Sequence, residues 1–195
     1  MALVRDLQPR VPVKPPAPIR YDIFPPKTRV RLQRLKTQEL NGEVGQVINY
    51  DDTKARYNIR LEKKEYVKPV AVKHGNLLQL VEGVQVLCDD SSDECTASNL
   101  TGSLSESRVS EFDGTVEFAI IVAKKQSSLW VLADRLRLPE GTVVTIIDLK
   151  KRPALNGSRA TILSWDAESG CYNIQVSATE KVKLRPSNVT TMPSL

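Results

Sequence analysis

His74 is the single histidine of the chain, so general acid–base chemistry near neutral pH would have to begin there. A Ser-His-Asp or Cys-His site needs a nucleophile and an orienting group around that imidazole, and no motif in the sequence supplies them. Beside Gly75, His74 reads instead as a surface turn residue. Cys88, Cys95 and Cys171 are an odd set, and none has a His or Cys companion at zinc-ligand spacing. The stretch from Leu40 to Val47 offers Gly42 and Gly45 but lacks the Lys-Ser/Thr and following helix of a phosphate loop. Asp51, Asp113 and Asp166 each follow an aromatic residue, a placement that suits turn hydrogen bonding better than proton transfer. These residues predict a protein that is not an enzyme, with no cofactor, no metal and no small-molecule substrate.

Binding chemistry is better represented. Positive charge gathers between residues 27 and 81, net +6, whereas residues 82–138 carry net −5 and residues 139–192 net +2. In the basic stretch Arg34, Lys36, Lys54, Arg56, Lys63, Lys64, Lys68 and Lys73 could meet phosphates or an acidic protein surface. The acidic middle interrupts any continuous nucleic-acid track, and the aromatics do not interleave with the cations as base stacking would require. Tyr50, Tyr57 and Tyr66 would be the rings of a methyl-lysine cage, a minor reading because rings in strands are usually buried. Residues 1–26 hold seven of the twelve prolines, with apolar residues between them. Pro12, Pro15, Pro18, Ile19, Tyr21, Ile23 and Phe24 therefore mark an extended arm expected to dock on a protein partner or on its own first barrel.

The elements that carry these residues recur. Leu40-Asn41-Gly42 precedes Tyr57-Asn58-Ile59 by the same interval at which Leu155-Asn156-Gly157 precedes Tyr172-Asn173-Ile174, and Tyr50-Asp51 and Trp165-Asp166 fall between at matching places. A third copy is expected in the middle, with Gly102 in the Leu-Asn-Gly place, Ser105 in that of the second glycine, Phe112-Asp113 as the aromatic-Asp pair, and Phe118 to Val122 over Tyr57 to Leu61. The alternation in Val30-x-Leu32, Val84-x-Val86 and Val144-x-Ile146 has the period of half-buried strands. Turn sequences such as Asp51 to Ala55 link antiparallel pairs, and Asn-Gly tolerates positive φ. The fold class is all-β: five short strands in each of three repeats, at 27–81, 82–138 and 139–192, with the arm at 1–26 and a tail at 193–195. The connections between repeats are so short that neighbours must touch, predicting a semi-rigid rod.

At Leu40-Asn41-Gly42-Glu43-Val44-Gly45-Gln46-Val47 the chain resembles the small SH3-like barrel repeats marked by Leu-Asn-Gly-x-x-Gly-x-Val and Arg-Tyr-x-Val-x-Leu in algal and protist proteins, similar in outline to KOW segments. The third copy keeps Leu155-Asn156-Gly157 but has Ala160 at the second glycine. The resemblance implies three tandem SH3-like barrels used for recognition or packing. The function expected is a non-catalytic structural or adaptor protein, bound to protein partners within a multi-subunit assembly. A KOW-like nucleic-acid or ribosome-associated protein acting through basic repeat one is the alternative. No apolar run is long enough to span a bilayer, and the chain start lacks a signal-peptide core, so an intracellular location, cytoplasmic or cytoskeletal, without membrane insertion is expected.

Overall fold

The computed structural model describes residues 19–87, 100–109, 115–122 and 127–191. Pro12, Pro15 and Pro18, Cys88 and Cys95, and Phe112-Asp113 lie outside the described residues.

The chain forms three five-stranded antiparallel sheets, and among the described residues there is no α-helix. The first contains β1 (Arg29–Leu32), β2 (Val44–Asp51), β3 (Arg56–Leu61), β4 (Val70–Val72) and β5 (Leu77–Gln79). The second contains β6 (Val84–Val86), β7 (Leu100–Val109), β8 (Val116–Val122), β9 (Ser127–Leu132) and β10 (Leu136–Arg137). The third contains β11 (Val143–Ile146), β12 (Arg159–Asp166), β13 (Cys171–Gln175), β14 (Lys181–Leu184) and β15 (Val189–Thr190). Each sheet has the order fourth-third-second-first-fifth strand, so all three share one topology.

Alternation decides which side chains enter each core. Val30 and Leu32 of β1, and Tyr57, Ile59 and Leu61 of β3, are buried while their neighbours face outward. Each second strand carries a bulge at the same place, between Val47 and Asn49, between Leu104 and Glu106, and between Ile162 and Ser164. The extra residue bends the strand so that it can follow both neighbours around a small core. Gly42 and Gly157 take positive φ, 88° and 82°, at the Leu-Asn-Gly turns. Asp51 and Asp166 accept backbone N–H groups of their own turns, from Thr53 at 3.0 Å and from Glu168 at 3.1 Å.

The register of the middle unit corrects the sequence reading. Gly102 lies opposite Val84, as Gly45 lies opposite Val30 and Ala160 opposite Val144. Gly102 therefore matches the second glycine, not the turn glycine, and Ser105 falls in the bulge. A Cβ on Gly102 would sit 2.5 Å from the Ile121 carbonyl oxygen, and one on Gly45 would sit 2.6 Å from that of Arg60. Close strand approach, rather than positive φ, demands glycine there. Ser107 opposes Phe118 where Tyr50 opposes Tyr57 and Trp165 opposes Tyr172, so the aromatic-Asp place belongs to Ser107-Arg108 rather than to Phe112-Asp113. Eleven positions separate Ser107 from Phe118 where seven separate Tyr50 from Tyr57. This four-residue lengthening of the hairpin is what displaced the reading.

The rod is corrected too, because the first unit touches both others. Arg31 pairs with Glu106 of the second unit at 2.7 Å. The Val143 N–H of the third unit donates to Gln79 Oε1 of the first at 3.0 Å, within a buried seam. Val143 belongs to the apolar core of the first unit, while the second and third units share a core that also takes in Leu78 and Val81.

Residues 24–28 complete this closure by copying the connection between the second and third units. The Phe24 N–H donates to Tyr57 Oη at 3.3 Å, and the Leu138 N–H donates to Tyr172 Oη at 2.9 Å. Thr28 Oγ1 donates to the Pro25 carbonyl and Thr142 Oγ1 to the Pro139 carbonyl, both at 2.7 Å. Lys27 N–H reaches the Val47 carbonyl and Gly141 N–H the Ile162 carbonyl, at 2.7 and 2.9 Å. Lys27 even adopts φ 71° where Gly141 has 81°.

Candidate functional site

His74 is not the surface turn residue expected from the sequence. It opens a single 3-10 turn (His74–Asn76) and is half-buried, its ring stacked on Phe24 at 4.7 Å between centroids. Tyr57 Oη lies 3.2 Å from His74 Nδ1. Two donors already occupy that oxygen, the Phe24 N–H at 3.3 Å and Arg159 Nη1 at 3.4 Å. The phenol proton is thereby directed to Nδ1, which leaves His74 as the tautomer protonated on Nε2. Burial pushes the imidazole down to about 4, with the Arg159 guanidinium adding to the fall and Asp22 opposing it. Burial likewise pushes Tyr57 up to about 12. The one histidine is thus neutral and committed to packing where the arm meets the first and third units.

The arm reinforces that junction. Phe24, in the segment expected to dock on a partner or on its own first barrel, is 2% exposed and closes the core of the first unit, with Ile23 packed beside it. Tyr21 is half-buried, and its carbonyl accepts a hydrogen bond from Thr161 Oγ1 of the third unit at 2.6 Å. Arg20 chelates Asp22, pairs with Asp52, and lies 5.3 Å from the Tyr50 ring centroid. Ile19 remains 75% exposed.

The eight cations singled out in the first unit are spread over several connections. Arg34 and Lys36 stand on the loop after β1, Lys54 on the β2–β3 turn, Lys63, Lys64 and Lys68 between β3 and β4, and Lys73 just after β4. Lys54 pairs with Asp51, Lys63 with Glu65 and Glu43, and Arg56 donates to the Ala71 carbonyl. The tyrosine cage is excluded by packing, since Tyr57 is 0% exposed.

A more concentrated cationic site lies on the third unit, outside the residues expected from the sequence. A groove of about 1000 Å³ runs between the loop after β11 and strand β14. Lys150, Lys151 and Arg152 stand on the loop side, with Lys181, Lys183 and Arg185 opposite; Asp148 is the sole acidic residue in the lining. Asn156 holds the loop by accepting the Leu149 N–H at 2.8 Å and donating to the Leu149 carbonyl at 3.2 Å. Asn188 Nδ2 donates to the Ile147 and Asp148 carbonyls at 3.2 and 3.4 Å. Leu149, Leu155 and Val182 are half-buried and give the groove an aliphatic floor. Lys183 is neutralised by Asp166 at 2.6 Å and holds that carboxyl well below the usual range, and Arg152 pairs with Glu180. Lys150, Lys151, Lys181 and Arg185 have no carboxylate within 4.0 Å among the described residues. The signal was legible: three successive cations, then Lys-x-Lys-x-Arg at the period of a strand.

Among the described residues no cluster of three metal-ligating side chains forms, and no helix is long and apolar enough to cross a membrane. No protein-family model matches the chain, and no curated protein matches it in sequence.

Proposed function

We propose that the chain is a non-catalytic scaffold of three SH3-like barrels, at residues 27–81, 82–138 and 139–192, that holds protein partners within a larger assembly. One observation carries this reading: the groups best suited to chemistry are committed to internal contacts, while uncompensated charge stands outside. His74, Tyr57 and Arg159 bind the arm to the first and third units. Tyr172 ties the second unit to the third by accepting from Leu138 and donating to the Leu136 carbonyl. Open cationic positions with no acidic neighbour are a means of contact rather than of catalysis.

A KOW-like nucleic-acid protein is the second reading, favoured by Arg34, Lys36, Lys64, Lys68 and Lys73, which are exposed and without a carboxylate within reach among the described residues. Sizing of the tagged protein at its natural abundance separates the two. A scaffold elutes in an assembly far larger than 21.7 kDa and stays there after nuclease treatment. Collapse on nuclease treatment supports the second reading, and elution as a free 21.7 kDa chain refutes both.

A further inference from the structure

We propose that the groove between the loop after β11 and strand β14 binds an extended acidic segment of a partner protein, with apolar side chains interleaved among its carboxylates. The inference rests on the scaffold reading and names the surface that would serve it.

Charge sets the sign of the ligand. Lys150 and Lys151 on one wall face a wall bearing Lys181 and Arg185, and none of the four meets a carboxylate among the described residues. Like charges gathered around one cleft repel one another and raise the local concentration of an anion, more strongly at low salt. The start of the loop is held before any ligand arrives, because Asn188 bonds the Ile147 and Asp148 carbonyls and Asn156 both backbone groups of Leu149. Little ordering of that stretch is therefore left for binding to impose.

The floor sets the class of ligand. Leu149, Leu155 and Val182 present aliphatic surface, and the neighbouring rings are closed off: Tyr172 is 1% exposed and Trp165 lies beneath Arg137 at 4.3 Å. Single-stranded nucleic acid in such grooves adds the stacking of bases on rings to its phosphate contacts, and no ring lines this groove. An acidic peptide meets both features, its carboxylates on the rims and its Leu or Val side chains on the floor. Strand β14 has four residues, so it can lie beside roughly 13 Å of extended chain at about 3.3 Å per residue.

Comparison within the chain shows the site to be an elaboration of the unit. In the first unit Lys36 and Lys73 occupy the places of Lys150 and Arg185, and Asn41 and Asn76 hold the loop through the same bonds. The wall strand differs there: β4 carries no lysine, and Pro69 stands where the third unit has Lys181. The third unit has gained cations along the open strand, and the first is a built-in control.

The test uses the full chain and a fluorescein-labelled ten-residue peptide alternating Glu or Asp with Leu or Val, followed by anisotropy. A matched peptide with Gln and Asn in place of the acids and a labelled ten-nucleotide oligouridylate are the comparison probes. The acidic peptide binds, its affinity falls with salt, and the Lys150→Glu/Arg185→Glu variant loses at least tenfold. Lys36→Glu/Lys73→Glu changes affinity less than threefold. All four side chains are exposed, and Lys150→Gln/Arg185→Gln, with an intermediate loss, serves if charge reversal disturbs folding. The proposal is overturned by no binding, by equal binding of the Gln/Asn peptide, by unchanged affinity in both groove variants, or by oligouridylate displacing the acidic peptide. A groove failure alongside a nuclease-resistant assembly leaves the scaffold standing without this site. A chain that elutes free of any assembly removes the scaffold instead.

Discussion

Replacing Phe24 by alanine tests the closure of the three units through one side chain and one proton. The Phe24 ring is 2% exposed, stacked on His74 and 5.3 Å from Tyr57. Truncating a buried phenylalanine costs about 3–5 kcal/mol, so the variant should be destabilised by that amount near pH 7.5. Removing the ring also opens His74 to water. In the native chain burial holds the imidazole at about 4, against 6.5 in the unfolded chain, so below 6.5 the unfolded state takes up a proton that the folded state refuses. Stability is therefore complete above pH 6.5 and is lost as pH falls toward 4. The whole loss amounts to about 3 kcal/mol, at 1.36 kcal/mol for each pH unit separating the two values. Asp22, Asp51 and Asp166 are also held below their ordinary values, but their contribution fades only under pH 3.8, outside this window.

Phe24→Ala should thus be less stable at pH 7.5 and also less sensitive to acid between pH 6.5 and 4.5, because its histidine titrates closer to 6.5. Urea unfolding at several pH values measures both effects, and NMR of the imidazole follows the proton directly, without ambiguity in a chain with one histidine. A native His74 that titrates near 6.5, or equal pH slopes for the two proteins, would falsify the packing argument at its centre.

Tyr172→Phe strips the acceptor from the buried Leu138 N–H and the donor from the Leu136 carbonyl, and should cost about 1–3 kcal/mol in thermal or urea unfolding. Gly45→Ala and Gly102→Ala should each destabilise by about 1–3 kcal/mol, because the new Cβ meets a backbone carbonyl. Ala160→Gly, at the matching place in the third unit, should cost only about 0.5–1 kcal/mol; equal effects at all three positions would refute the close-approach argument. Gln79→Ala leaves the buried Val143 N–H unpaired, so its hydrogen exchange should accelerate; unchanged protection would show that the first and third units do not share this bond. Lys27→Gly should raise the melting temperature slightly, by removing the strain of a side chain at φ 71°, and a fall would show that the lysine stem contributes more than the strain costs.

Strand count, sheet assignment and the turn glycines were legible because they rest on local physics. Alternation of Val30-x-Leu32 or Val144-x-Ile146 commits those residues to a strand with one face inward, and Asn-Gly marks Gly42 and Gly157 for positive φ. The middle register was not legible, because a landmark alignment without coordinates treats Gly102 as a turn glycine when its role is to admit the Ile121 carbonyl. His74 was misread because the ring that covers it, Phe24, comes from a segment assigned to a separate arm. The cations of the third unit are hidden in a net charge summed over the whole repeat. Glu140, Asp148, Asp166, Glu168 and Glu180 dilute that sum, yet only Asp148 lies in the groove lining. Charge per strand face is the more informative quantity.

Closure into a ring-like set of contacts follows from what the units lack. A unit of about 55 residues buries roughly 60% of its unfolded surface and is marginal alone. The second and third units meet this by merging their cores through the connection at Leu136 and Leu138. In the first unit the place that Leu138 takes beside Tyr172 falls to a residue of the arm. Phe24 takes that place, and its Pro25 and Thr28 reproduce the bonds of Pro139 and Thr142. The end of the arm is therefore built as the connection between the second and third units is. That is why a proline-rich segment, which ordinarily stays solvated, ends in a wholly buried ring.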